Sequence, residues 1–174
     1  MPRVLICLML GWLAVPAFGG GRVEEPVISW TLRAGSFNTE DDLPVAFEAG
    51  FEVALPARRF RWLPEWVQLR PIVGLAGNDR EGFWGHEGIR WDFRVHGRWW
   101  LQPSFSVVFY EKGKGKDLGS TVHFRSAFEV AYELANGRRI GLGVYHLSNA
   151  NLYPRNPGEE SVVLSYTWHS HTSD

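Results

Sequence analysis

Cysteine is all but absent from this chain, with Cys7 the single example in 174 residues. Once the N-terminal leader is removed none remains, which excludes a disulfide scaffold, a cysteine nucleophile and a cysteine-bound zinc. Charge of one sign is equally scarce. Lysine and arginine total 18 against 19 acidic residues, with no basic block, so no nucleic acid partner is expected. Only one long apolar run exists, "VLICLMLGWLAV" behind Arg3. It falls short of the ~20 residues of a spanning helix. With small residues following around "PAFGG", it reads as a secretory signal peptide over residues 1–20, cleaved after Ala17 or within Gly19–Gly21. No cysteine stands at that point, which argues against a lipoprotein. Helical periodicity is missing from everything downstream.

Aromatics, by contrast, are plentiful, with nine Trp and eleven Phe. They sit in runs of period two. Val122, Phe124, Phe128, Val130, Tyr132 and Leu134 share one face, against His123, Arg125, Glu129 and Glu133 on the other. Val45, Phe47, Phe51, Val53 and Leu55 oppose Glu48 and Glu52 in the same way. Val67, Leu69, Val73 and Leu75 oppose Gln68 and Arg70, and Ile89, Trp91, Phe93 and Val95 oppose Arg90, Asp92 and Arg94. Trp99, Leu101, Phe105, Val107 and Phe109 oppose Gln102, Ser104 and Ser106. Eight strands are predicted, over 27–37, 43–55, 65–77, 84–95, 98–111, 119–135, 138–148 and 159–168.

Such a pattern suits a half-wet sheet, a soluble lipocalin-like barrel with its apolar face inside, or an inverted membrane barrel with its apolar face in lipid. Export, an even strand count and the many aromatics favour the third. The polar faces also alternate in sign, as a filled lumen requires for pairing. The expected fold is an all-β, eight-stranded antiparallel up-and-down transmembrane barrel over residues 22–168, followed by a polar tail over 169–174. Outer-membrane barrels have short periplasmic turns and longer external loops. "HGR" and "ANG" fit the first class; "NTEDDL", "GNDREGF", "KGKGKDLG" and "SNANLYPRNPGE" fit the second, and "PARRFRWLPE" is a long exception. Trp30, Trp91, Trp99 and Trp168 fall on outward positions suited to interfacial belts.

One stretch carries chemistry, "GLGVYHLSNANLYPRNPGEESVVLSYTW" over residues 141–168. On the seventh strand His146 and Ser148 continue the face of Ile140, Leu142 and Val144. On the eighth, Glu160 shares the face of Val162, Leu164, Tyr166 and Trp168. Strand parity therefore sets an imidazole, a hydroxyl and a carboxylate on one lipid-facing surface. Strand order places them at the external rim, where a buried-charge penalty falls to ~0–1 kcal/mol. Acyl transfer uses this set: a base takes the serine proton while a carboxylate orients the base. The alternative is an interfacial polar rim on a non-enzymatic barrel for adhesion or ligand binding. His169 and His171 in "HSHTSD" have the look of metal ligands, but a free chain end is the expectation, and neither a metal nor a cofactor is expected.

The stretch "HLSNANLYPRNPGEES", with "DLGSTVHFRSAFEVAYELANGRRIGLGVY" before it, resembles the lipid A 3-O-deacylase (PagL) family of eight-stranded outer-membrane barrels. The likeness is strong over about the last 80 residues and weaker before them, in strand layout and pieces such as "RWWLQPSFSVVFY". It implies ester hydrolysis of the acyl chain at position 3 of lipid A, so lipopolysaccharide would be the substrate and outer-membrane lipid the surroundings. It assigns Ser148 as nucleophile, His146 as general base and Glu160 as orienting acid, with Glu159 the alternative. Asn149 and Asn156 match the family's asparagines, for the oxyanion hole or for shaping the loop. Oligomeric state, a homodimer included, stays open.

Overall fold

A computed structural model describes residues 22–23, 27–38, 45–60, 64 and 66–171. The proposed signal peptide and residues 172–174 lie outside the described residues. Eight long strands follow in order: β1 Val27–Phe37, β2 Ala46–Ala54, β3 Val67–Asn78, β4 Phe83–His96, β5, β6 Val122–Glu133, β7 Arg139–Ser148 and β8 Glu159–His171. Strand β5 comes in two pieces, Trp99–Leu101 and Ser104–Glu111. The break falls at Gln102–Pro103, where proline has no N–H to give a ladder. The Gln102 N–H still reaches Glu129 O at 2.8 Å, which carries the strand across the gap.

Every strand pairs antiparallel with the next, and β8 pairs with β1 from Ser161↔Phe37 to His171↔Val27. The sheet is thereby closed and its eight long strands leave no edge, so backbone polar groups are satisfied within the ring. A two-residue ladder joins Arg22–Val23 to Arg58–Arg59 beside it.

One end of the barrel holds the tight reversals at residues 97–98 and 134–138, the long 55–66 connection, the start of β1 and the end of β8. The other end holds the connections 38–45, 79–82, 112–121 and 149–158. We call these the turn end and the loop end. "GNDREGF", expected as a long loop, is in fact tight. The Asn78 side chain accepts from Arg80 N and Gly82 N, and Asn78 N reaches Gly82 O at 2.9 Å. The last strand also runs to His171, beyond the expected end at Trp168, because Ser170 and His171 still pair with Ile28 and Val27. His169 is accordingly strand rather than tail, its Nδ1 2.9 Å from Ser29 Oγ.

Period two sorts the side chains as the alternation requires. Phe47 (59% exposed), Leu142 (54%) and Leu164 (67%) stand on the outer wall, where water would penalise them and hydrocarbon does not. The lumen is polar and paired. Glu52 lies 3.0 Å from Arg33, 3.1 Å from Arg90, 3.2 Å from His86 and 3.7 Å from Arg125. Asp92 lies 2.7 Å from Arg90 and 3.2 Å from Arg70 and accepts from Gln102 Nε2 at 2.9 Å. Arg33 also reaches Glu129 at 3.0 Å, binding three strands through one guanidinium. Arg94, grouped with these charges by parity, is instead exposed, since the β4 register shifts between Arg94 and His96 and Arg94 Nε donates to Gly97 O.

Two aromatic layers complete the molecule. At the turn end outward rings cluster, Trp30 with Phe51 at 5.8 Å and Trp99 with Tyr132 at 5.0 Å, as an interfacial girdle. At the loop end the rings point inward. Phe37 packs on Trp84 at 5.2 Å and on Tyr110 at 6.2 Å, with Val108, Tyr145, Leu147 and Val163 around them. This apolar plug closes the lumen under the loops. The chain is an eight-stranded antiparallel transmembrane β-barrel.

Candidate active site

Strand β7 alternates Tyr145 and Leu147 inward with His146 and Ser148 outward. Leu147 is fully buried in the plug, and the Tyr145 hydroxyl donates to Glu48 across the lumen. Two inward anchors thus fix which way the intervening residues point. Strand β8 opens with the same logic. Glu159 turns inward and is fully buried, its Oε1 accepting from Asn38 N at 2.8 Å and Ser161 Oγ at 2.7 Å. Period two then sends Glu160 outward. The register sets His146 directly opposite Glu160, and His146 Nδ1 lies 2.6 Å from Glu160 Oε1. Both side chains keep part of their surface open, 45% and 35%.

Of the two carboxylates in the Glu-Glu pair, Glu160 therefore meets the imidazole and Glu159 serves the lumen. Ser148 follows two residues on along the same face, half-buried, opposite Phe124 of β6. Among the described residues no hydrogen bond joins its hydroxyl to the ring. Side chains at i and i+2 are separated by ~6.6–6.8 Å along a strand, so the serine has to lean toward the imidazole to share its proton.

The 149–158 loop roofs this surface. Ala150 (φ 51°) and Asn151 (φ 60°) are both left-handed, and Leu152 N returns to Asn149 O at 3.0 Å, a tight reversal just past Ser148. Asn149 N donates to Asn156 Oδ1 at 2.9 Å, Asn149 Nδ2 to Arg155 O at 2.7 Å, and Asn156 Nδ2 to Asn151 Oδ1 at 3.1 Å. One side-chain N–H of each asparagine and the Asn149 backbone N–H thus go to the loop's own shape. The neighbouring loop braces it: Asp117 lies 3.4 Å from Arg155 and 3.1 Å from Lys112. The Gly119 N–H, then Lys112, holds the Asp117 carboxyl below the usual carboxylate range.

One neighbour of the imidazole escapes a reading of polar residue types. Gly158 (φ 71°) lies so close to His146 that a Cβ there would sit 2.9 Å from Cε1. Its backbone is a wall against the ring edge that carries Nε2. Gly158→Ala is expected to displace the imidazole and lower the rate of the chemistry by about 10²-fold, the usual cost of a ~1 Å misplacement. Gly137→Ala is the control, with φ 77° but open space around it. It carries only the left-handed backbone penalty of about 1–2 kcal/mol and keeps its activity. Steady-state kinetics and unfolding of both variants check the pair. Across the strand pairing from His146 stands Ser126 on β6. Among the described residues no group of three His, Cys, Asp or Glu is arranged to hold a metal.

Comparison with known proteins places this geometry in context. Residues 49–169 match the profile of the family "Lipid A 3-O-deacylase (PagL)". The lipid A deacylase PagL of Bordetella bronchiseptica (strain ATCC BAA-588 / NCTC 13252 / RB50) is 33% identical over 82 residues, 41% of this chain. That match spans 44% of the relative's length, less than half. The crystal structure of the outer membrane enzyme PagL superposes with a TM-score of 0.62 at 17% identity, over 80% of this chain and 97% of that one. Neisserial surface protein A (NspA) superposes at 0.55 and 10% identity, over 84% and 97%. The last two share the fold. Since the profile covers well over half of the sequence, candidate triad included, the chain belongs to the lipid A 3-O-deacylase (PagL) family.

Proposed function

We propose that this protein is an outer-membrane esterase that hydrolyses the 3-O-linked acyl chain of lipid A. The observation that carries the reading is the His146–Glu160 pair, 2.6 Å apart on the hydrocarbon-facing wall with Ser148 on the same strand. Polar side chains on that face are unfavourable unless they do something, and these three do acyl transfer. Family membership supplies the substrate.

Ser148 Oγ attacks the ester carbonyl while His146 Nε2 takes its proton, with Nδ1–H held by Glu160. The tetrahedral intermediate collapses as the imidazolium returns that proton to the sugar oxygen, which leaves as the alcohol. Water then attacks the acyl-serine with His146 again as base, releasing a fatty acid and regenerating Ser148. The tight turns belong on the periplasmic side, by the usual asymmetry of such barrels, so the loop end and the site face the outer leaflet. There the wall meets lipid A acyl chains side-on.

The test is expression in a Gram-negative host followed by mass spectrometry of its lipid A. Loss of one ester-linked acyl chain is expected, with the amide-linked chains intact. Unchanged lipid A from a barrel shown to be inserted would overturn the proposal in favour of a non-enzymatic barrel.

A further inference from the structure

The outward face of β6 runs Val122, Phe124, Ser126, Phe128, Val130, Tyr132. Ser126 is the lone small hydroxyl in it, exposed to the hydrocarbon side. Register puts it directly opposite His146 on β7 and opposite Phe105 on β5. One row across the wall thus reads Glu160, His146, Ser126, then Phe105. Phenylalanines surround the hydroxyl: Phe105 and Phe128 are 47% and 45% exposed, and Phe105 stacks on Phe124 at 5.8 Å. Among the described residues the Ser126 hydroxyl makes no hydrogen bond, and the imidazole beside it is held by Glu160 on the far side.

We infer that Ser126 is a specificity-determining contact that reads a hydroxyl on the β-carbon of the acyl chain. The inference rests on the esterase reading above. Ser148 faces Phe124, so Ser126 is its diagonal neighbour, about 7–8 Å away across the strand pair and one step toward the membrane interior. A scissile carbonyl carbon sits about 3 Å from the attacking Ser148 Oγ. The β-carbon follows after two carbon–carbon bonds, about 2.5 Å on. A hydroxyl there comes within hydrogen-bond range of Ser126, about 2.8 Å, when the chain runs down the wall into the bilayer. An unsubstituted chain leaves the serine unanswered in an apolar setting; a β-hydroxyl satisfies both groups. The aromatic rings on either side give the rest of the chain an apolar path.

The experiment uses the full barrel in detergent micelles and two glucosamine 3-O-acyl esters of equal chain length, one with a β-hydroxyl and one without. Wild type should prefer the hydroxylated ester in kcat/KM. Ser126→Ala should erase that preference, by about tenfold, through a lower kcat/KM on the hydroxylated ester, and Ser126→Thr should restore it. Equal preference in wild type and Ser126→Ala overturns the inference while leaving the esterase standing. Hydrolysis of neither ester by wild type overturns both.

Discussion

Ser148→Ala is expected to abolish acyl loss from lipid A altogether, and Glu160→Gln to lower kcat by about 10²–10⁴-fold with the barrel intact. In the proposed mechanism the serine supplies the nucleophile, so nothing replaces it. The carboxylate acts through the ring: it accepts from Nδ1 at 2.6 Å, which leaves the lone pair on Nε2 and stabilises the imidazolium once formed. An amide in its place satisfies a hydrogen bond with the wrong tautomer. Glu159→Gln gives the informative contrast, because the adjacent carboxylate faces the lumen, fully buried, and binds Asn38 N and Ser161 Oγ. Its amide should keep the chemistry within a few-fold. Purified variants assayed on lipid A in detergent, with folding monitored by heat-modifiable migration on gels, decide the matter. If Glu159→Gln proved as damaging as Glu160→Gln at equal folding, the assigned roles would be wrong.

The second large effect is on stability. Glu52→Ala removes the one carboxylate shared by Arg33, Arg90, His86 and Arg125, all within 3.7 Å. Arg33 would keep Glu129 and Arg90 would keep Asp92, but Arg125 would lose its salt bridge inside the barrel. Breaking a buried pair from one side costs about 3–5 kcal/mol, since the surviving charge stays desolvated. Urea unfolding in detergent should show a loss of that size for Glu52→Ala, against under about 1 kcal/mol for Lys112→Ala, whose partner Asp117 is exposed. Comparable losses from the two would mean that water, not Glu52, compensates the lumen arginines.

Most of the barrel was written in period two. Where apolar and polar residues alternate strictly, as in β6, strand limits, facing and register all follow, because a one-residue slip would turn every side chain over. Parity likewise separated Glu160 from Glu159 before any distance was known. It also held information that residue type obscured. Phe37 and Trp84 occupy inward positions of β1 and β4 and make the apolar plug, yet large rings on a polar face look like lipid contacts. The loops were less readable. Asn78 tightens one connection through its own side chain, which length alone does not reveal. Gly158 approaches His146 from the loop and Ser126 faces it across the β6–β7 pairing, so neither emerges before the chain is folded. The Asn149–Asn156 bonds depend on consecutive left-handed residues that no pattern in "SNANLYPRN" marks.

The packed interior has an electrical consequence. With arginines and carboxylates locked across the lumen and an aromatic plug above them, a gap lined by Arg33, Glu52, Trp84 and Arg125 has a volume of about 20 Å³. That admits about one water molecule, not a continuous column. An ion crossing here would have to break the Glu52 and Asp92 clusters and then displace Phe37 and Trp84. Among the described residues the lumen is therefore built to resist ion passage. The filled lumen leaves only the outer wall for the proposed chemistry, and the cross-braced charges hold that wall in shape.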